Sequence, residues 1–165
     1  MLLLVSCDKS DSGCNGGSLT GATQYFVKNG GLVPEACFPY KAANSPCPSK
    51  CADGADWKAA HVCKCSNVKS CSGTSGIKSC LSTGPTIIGF DVCQSFMSYK
   101  SGVYKCDCRN YLGKHAVLAM GVTDSPSCHY HVKNSWGTSW GMSGYFDIEC
   151  NTCNIQGGSV CGTVA

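Results

Sequence analysis

The chain alternates between stretches with helical and strand-like placing of apolar residues. In "SLTGATQYFVKNGG", Leu19, Ala22, Tyr25 and Phe26 fall at helical spacing, and Asn29-Gly30-Gly31 is a stop signal, so a helix is predicted over about 18–28. "TSGIKSCLSTG" (74–84) places Ile77 and Leu81 on one face and ends at Gly84, which predicts a second, short helix. "PTIIGFDV" then reads as a buried strand, and "QSFMSYKSGVYKC" as a helical turn followed by a strand. "HAVLAMGVTD" is almost continuously apolar, as expected of a central strand. "SCHYHVKNSWG" alternates, with Tyr130 and Val132 on one face and His131 and Lys133 on the other; "GYFDIEC" predicts a further strand. Helix signals crowd the first half and strand signals the second, which is an α+β arrangement.

Residues 8–17, "DKSDSGCNGG", are rich in turn formers. Residues 34–80 hold seven cysteines (37, 47, 51, 63, 65, 71 and 80) and are expected to be largely irregular and cross-linked. The whole chain has 16 Cys in 165 residues, a density typical of disulfide scaffolds in oxidising compartments. Zinc is the rival reading. The pairs Cys63-x-Cys65 and Cys106-x-Cys108 do not have knuckle spacing, and no second C-x-x-C follows Cys150-x-x-Cys153 at ribbon spacing, so disulfides are preferred and no metal or cofactor is expected.

Charge adds exclusions. The 13 Lys and Arg against 10 Asp and Glu are scattered, with no basic stripe to suggest nucleic acid. The apolar start, Met1 to Val5, is too short for a membrane span and lacks the basic region and length of a signal peptide. Cysteine usage that looks secretory, without an export signal, suggests a chain that begins partway through something longer.

Two residues point to chemistry. His115 opens the apolar "HAVLAMGV" run, and Asn134 follows the "HYHVK" strand. Antiparallel pairing of those strands would bring them together. A histidine can take the proton of a thiol or hydroxyl nucleophile, and an amide carbonyl can hold its ring in one orientation. Trp136, two residues on, is placed to cover that hydrogen bond and exclude water. His61, His129 and His131, taken singly, read as structural or solvated residues.

"KHAVLAMGV", "HVKNSWGTSWGMSGYFDI" and "GCNGG" together resemble the papain-like cysteine peptidases, over nearly the whole chain. "SFMSYKSGVY", "GLVPEACFPY" and "CPSKC" followed by "HVCKC" are closer to the cathepsin B branch, particularly its protist forms. No His-His occluding-loop sequence is present, so carboxydipeptidase activity is not implied. The resemblance implies a two-lobe fold: a partial, helical, disulfide-rich lobe over 1–62 and a barrel-like antiparallel lobe over 63–165. It implies that His115 is base and acid, that Asn134 orients it and that Trp136 shields the pair. Gly16 and Gly17 would pair with the backbone of an extended peptide substrate, and Ala116 would wall the pocket for the second residue before the scissile bond. Cys7 would bridge Cys47, Cys108 would bridge Cys161, and Cys14 would have a partner upstream. Lys114, before the histidine, departs from the commoner Asp or Gly.

The nucleophile of this family lies about 130 residues before the histidine, which falls off this chain, and none of the 16 cysteines has its neighbours. The chain is therefore expected to supply the His/Asn pair and part of a substrate cleft for peptide or protein substrates. The thiol would come from a companion chain or an upstream segment, in a lysosomal, vacuolar or secretory setting. The alternative is an inactive pseudo-peptidase serving as a binding or structural subunit.

Overall fold

The computed structural model describes residues 2–62, 64–155 and 158–164. Cys63, and with it the Cys63-x-Cys65 pair, lies outside them. The chain divides into two compact units, residues 1–68 with 162–165 and residues 69–161.

The first unit holds two helices, α1 (Leu2–Cys7) and α2 (Leu19–Lys28), separated by a single 3-10 turn over Gly13–Asn15. Ser18 caps α2, its Oγ accepting from the Gly21 amide at 3.2 Å, and the helix ends where Gly30 and Gly31 take positive φ. The core is small: Leu3, Phe38, Trp57 and the half-cystines Cys7, Cys37 and Cys51. The stretch from 32 to 62 contains no helix or extended strand. Its packing rests on Phe38 against Trp57, at 5.8 Å between rings, and on two bridges, Cys7–Cys47 and Cys37–Cys51. A unit with so little apolar volume gains from such cross-links because they restrict the unfolded chain.

The second unit is built on a sheet of order β1-β7-β2-β4-β5-β6-β3. Its strands are β1 (Cys65–Cys71), β2 (Thr86–Cys93), β3 (Val103–Tyr104), β4 (Tyr111–Thr123), β5 (His129–Lys133), β6 (Tyr145–Glu149) and β7 (Ser159–Val164). The sheet is open, and its β2-β4-β5-β6 centre is antiparallel. Alternation sets its inner face: Ile88, Phe90 and Val92 of β2, Val117 and Ala119 of β4, Tyr130 and Val132 of β5, Phe146 and Ile148 of β6 are all buried. Helix α3 (Gly73–Leu81) adds Ile77, and the short α4 (Gln94–Met97) adds Phe96, both fully buried in the same core.

Three elements were not expected from the pattern. α1 forms from the apolar start, β1 lies inside the stretch predicted to be irregular, and β7 has no counterpart among the predicted strands. β4 also begins at Tyr111, four residues before His115. A register shift between Val92 and Cys93 lets β2 continue pairing as far as Tyr111.

The cysteines join as Cys93–Cys108, Cys106–Cys153 and Cys128–Cys150, with Cys71, Cys80 and Cys161 gathered in one group. The expected Cys108–Cys161 bridge is not formed. Cys108 bonds Cys93 at one end of β2, whereas Cys161 is one residue from Val160, which pairs with Ile87 near the other end. Seven residues of extended chain, about 23 Å at ~3.3 Å each, separate the two ends of that strand.

Candidate active site

Register brings His115 and Asn134 together. Leu118 of β4 faces Lys133, the last residue of β5, so Asn134 emerges beside the β4 residues that precede Leu118. His115 shares the face of Val117 and lies within reach of it. The His115 Nε2 to Asn134 Oδ1 distance is 2.9 Å.

Asn134 is held on three sides. Its amide donates to Gly144 O at 2.9 Å, its Oδ1 accepts from the Ser135 amide at 2.8 Å, and the residue is buried. Because a backbone N–H already points at Oδ1, that atom is the carbonyl oxygen and can only accept. The ring nitrogen facing it must therefore carry the proton, so His115 Nε2–H donates to Asn134. In the neutral ring this leaves the Nδ1 lone pair free to take a proton. Asn134 Nδ2 is buried with no hydrogen-bond partner, which leaves the carbonyl as the side chain's only bonded end.

Aromatic rings fix the plane of the imidazole. Trp136 stacks on His115 at 5.0 Å and 24° between planes, and Phe90, from the facing position on β2, presents an edge at 5.9 Å. Trp136 itself rests on Phe96 (5.5 Å) and Trp140 (5.1 Å). Phe96 further touches Phe90, Tyr99, Tyr104 and Phe146, with centroids between 4.9 and 6.2 Å. Phe90 and Phe96 thus support the site from beneath. Sequence reading placed them only in a strand and a helical turn. Their signal was the aromatic spacing of "GFDVCQSF", which has no meaning until the sheet order is known.

The remaining residues of interest fall in different places. Ala116 is exposed, and strand alternation turns it to the opposite face of the sheet from His115. Gly16 and Gly17 belong to the first unit. Gly16 has φ of 100° and ψ of −172°, a region open essentially to glycine alone, and the space beside its Cα is empty. A Cβ on Gly17 would overlap the carboxylate of Asp11, whose Oδ1 accepts from the Ser18 amide at 2.8 Å. Both glycines are exposed, but the Gly16 amide donates to Gly13 O at 3.2 Å and its carbonyl accepts from the Ser12 amide at 2.9 Å, so the Gly16 backbone is engaged within its own turn. Cys14 is an exposed free thiol in the same turn. The other histidines have structural partners: His61 lies edge-on to Trp57, His129 Nδ1 donates to Ser127 O at 2.8 Å, and His131 Nδ1 meets Asp147 Oδ1 at 2.7 Å.

Among the described residues, two groups of side chains are close enough to share a metal ion, Cys71 with Cys80 and Cys161, and Cys93 with Cys106 and Cys153. In the second group Cys106 is bonded to Cys153, and Cys93 to Cys108 outside the group. No helix among the described residues is long and apolar enough to cross a membrane.

A family model described as papain family cysteine protease matches residues 3–163. Cathepsin B-like CP3 of Giardia intestinalis is 36% identical over 163 residues, which is 93% of this chain and 54% of that protein. Cysteine proteinase 3 of Entamoeba histolytica is 34% identical and covers 93% of this chain and 49% of its own length. The chain thus spans about half the length of these relatives. Among solved structures, procathepsin B from Trypanosoma congolense superposes with a TM-score of 0.83 at 31% identity, over 98% of this chain and 58% of that one. The bromelain protease from Ananas comosus gives 0.79 at 29%, over 97% and 75%. The fold is therefore papain-like.

Proposed function

This chain belongs to the papain family of cysteine proteases, and from that premise we propose that it supplies the histidine–asparagine half of a peptidase acting by thiol acyl transfer. The family acts on peptide substrates. The observation that carries the reading is the 2.9 Å contact between His115 Nε2 and an Asn134 oxygen already fixed as an acceptor, which leaves Nδ1 free as the proton carrier.

In this reading the thiol comes from a companion chain or an upstream segment. Among the described cysteines, the one free thiol outside the sulfur groups is Cys14, in the first unit. His115 Nδ1 takes the thiol proton, and the thiolate attacks the scissile carbonyl. The imidazolium then gives its proton to the leaving amine, and the neutral ring afterwards draws a proton from the water that cleaves the acyl–thiol bond. Asn134 keeps the ring from turning during these transfers, and Trp136 keeps water off the hydrogen bond. In the first unit Gly17 is the glycine offered to an extended peptide backbone, and in the second unit His115 and Asn134 are the catalytic pair. The bridges fit an oxidising compartment, which favours a lysosome-like, vacuolar or secretory location.

The test is reconstitution. Joining the chain to the family segment that bears the thiol should yield cleavage of short peptides with an apolar residue two places before the scissile bond. A folded reconstituted protein that cleaves nothing, and whose thiol shows no dependence on His115, overturns the proposal and favours a binding or structural subunit.

A further inference from the structure

The turn that carries Gly17 is anchored at both ends by side-chain acceptors. At one end Asn44, 30 residues away in sequence, accepts from the Cys14 amide through Oδ1 at 2.8 Å. At the other end Asp11 Oδ1 accepts from the Ser18 amide at 2.8 Å. Between them the backbone closes on itself: the Ser12 amide donates to Gly16 O at 2.9 Å, and the Asn15 amide to Ser12 O at 3.0 Å. The Asp11 carboxylate lies where a side chain on Gly17 would go, since a Cβ there would be 2.3 Å from Cγ and 2.4 and 2.6 Å from the two oxygens. Among the described residues no hydrogen bond engages the Gly17 amide or carbonyl. Both peptide units that flank Gly17 are nevertheless fixed. Gly16 C=O and Gly17 N–H share one trans unit and point in opposite directions, so the bond from Ser12 to Gly16 O turns the Gly17 N–H away from the turn. Gly17 C=O and Ser18 N–H share the next, so the carboxylate that holds the Ser18 N–H aims the Gly17 carbonyl away from itself.

We propose that Asp11 is a positioning residue for substrate, setting the direction of the Gly17 carbonyl that accepts a backbone N–H from an extended peptide. The proposal rests on the peptidase reading above and adds a residue to it. A strand-like ligand needs an N–H and a C=O presented in fixed directions, and Gly17 presents one of each. Glycine left to itself samples a wide range of backbone angles, so its carbonyl is well aimed only where a neighbour holds the adjoining unit. Asp11 does this from the side opposite the carbonyl and acts through Gly17. The same carboxylate ties the turn to α2, because Ser18 is that helix's N-cap. The N–H of Gly17 is set by the Ser12 bond to Gly16 O instead, so Asp11 governs one of the two bonds to the ligand and leaves the other in place.

The experiment uses the reconstituted enzyme with a parent peptide and with versions N-methylated in turn at each of the three residues before the scissile bond. On the wild type, methylation at the residue facing Gly17 should raise KM, because its N–H is gone. Asp11→Ala should raise KM for the parent peptide about 3- to 10-fold, the loss of one net hydrogen bond, with kcat within about twofold, since binding common to ground and transition state is what is removed. On Asp11→Ala that N-methyl penalty should largely vanish. Asp11→Asn keeps an acceptor for the Ser18 amide and should restore both the KM and the penalty. Asp11→Glu retains the charge but displaces the acceptor, and should show the alanine pattern, which provides the reading should alanine fail to fold. A folded wild type that cleaves nothing overturns the peptidase reading and this inference with it. A wild type that cleaves, with KM unmoved by Asp11→Ala, an N-methyl penalty equal in both proteins, or Asp11→Asn as impaired as alanine, overturns this inference alone.

Discussion

Replacing Asn134 with alanine separates an orienting role from a structural one, because the two predict opposite readouts. The substitution removes the acceptor that lies 2.9 Å from His115 Nε2. It also removes Nδ2, a buried donor without a partner. Losing the two bonds accepted at Oδ1 destabilises the fold, and losing the unsatisfied donor offsets this, since such a group costs about 1–3 kcal/mol when left buried. The Ser135 amide, freed of its acceptor, belongs to an exposed residue and is met by water, and the backbone bond from Asn134 to Gly144 is untouched. Net stability should therefore change by no more than about 1 kcal/mol. The imidazole, in contrast, loses what fixes its tautomer. Ring nitrogen NMR on labelled protein, which holds only four histidines, should show His115 pass from the Nε2–H form to a mixture. A hydrogen bond to a charged group contributes about 1.5–3 kcal/mol, so in the reconstituted enzyme kcat/KM should fall roughly 10- to 150-fold. Asn134→Asp keeps an acceptor in place and should keep the Nε2–H tautomer. An alanine variant that retains that tautomer, or loses several kcal/mol of stability while its ring is unchanged, refutes the reasoning.

Other expectations follow from the same coordinates. Phe96→Ala empties a fully buried position ringed by six aromatic side chains, and chemical denaturation should show a loss of about 3–5 kcal/mol. Gly17→Ala drives a methyl into the Asp11 carboxylate and should cost about 1–3 kcal/mol; adding Asp11→Ala should recover part of this, short of the lost bond to the Ser18 amide. Burial raises the phenols of Tyr25, Tyr99 and Tyr130, so these three of the seven tyrosines should ionise last when phenolate absorbance is followed. Their folded values lie above the unfolded one, so the stability they contribute is complete below about pH 10 and is lost as pH rises through the raised values, and a denaturation midpoint that stays flat there contradicts the assignment.

Elements with a strong one-sided pattern were legible in the sequence, and those without one were not. β2, β5 and β6 each bury one face, and their residue order shows it, whereas α2 was marked by its apolar spacing and stop signal although Thr23 is the residue it buries. β1, "CSNVKSC", is an edge strand whose residues Ser66, Asn67, Lys69 and Ser70 are exposed, so no alternation marks it, and only its pairing partner makes it a strand. β7 owes its place to its position between β1 and β2, a long-range fact absent from its six residues. The disulfide error has the same origin. Sulfur pairing depends on which strand ends lie side by side, and the insertion of β7 beside β2 carries Cys161 to the end remote from Cys108. His115 and Asn134 were legible because a short connection between consecutive antiparallel strands leaves little choice of register.

The site and the core are one piece of packing, and this decides which substitutions are informative. Trp136 stacks on His115 with one face and meets Phe96 and Trp140 with the rest of its ring. An aromatic pair contributes about 0.5–1.5 kcal/mol beyond burial, whereas truncating a large packed ring costs about 3–5 kcal/mol. Trp136→Ala would therefore be dominated by its effect on the Phe96 cluster, and a loss of activity could not be assigned to the imidazole. The same holds for Phe90, which touches the histidine and the core together. The run "NSWGTSWG" is for this reason a packing signature as much as a chemical one. Its tryptophans would be required by the sheet even if His115 moved no proton, and Asn134, whose side chain adds two accepted hydrogen bonds and an unsatisfied donor, is the position in the block where chemistry and stability come apart.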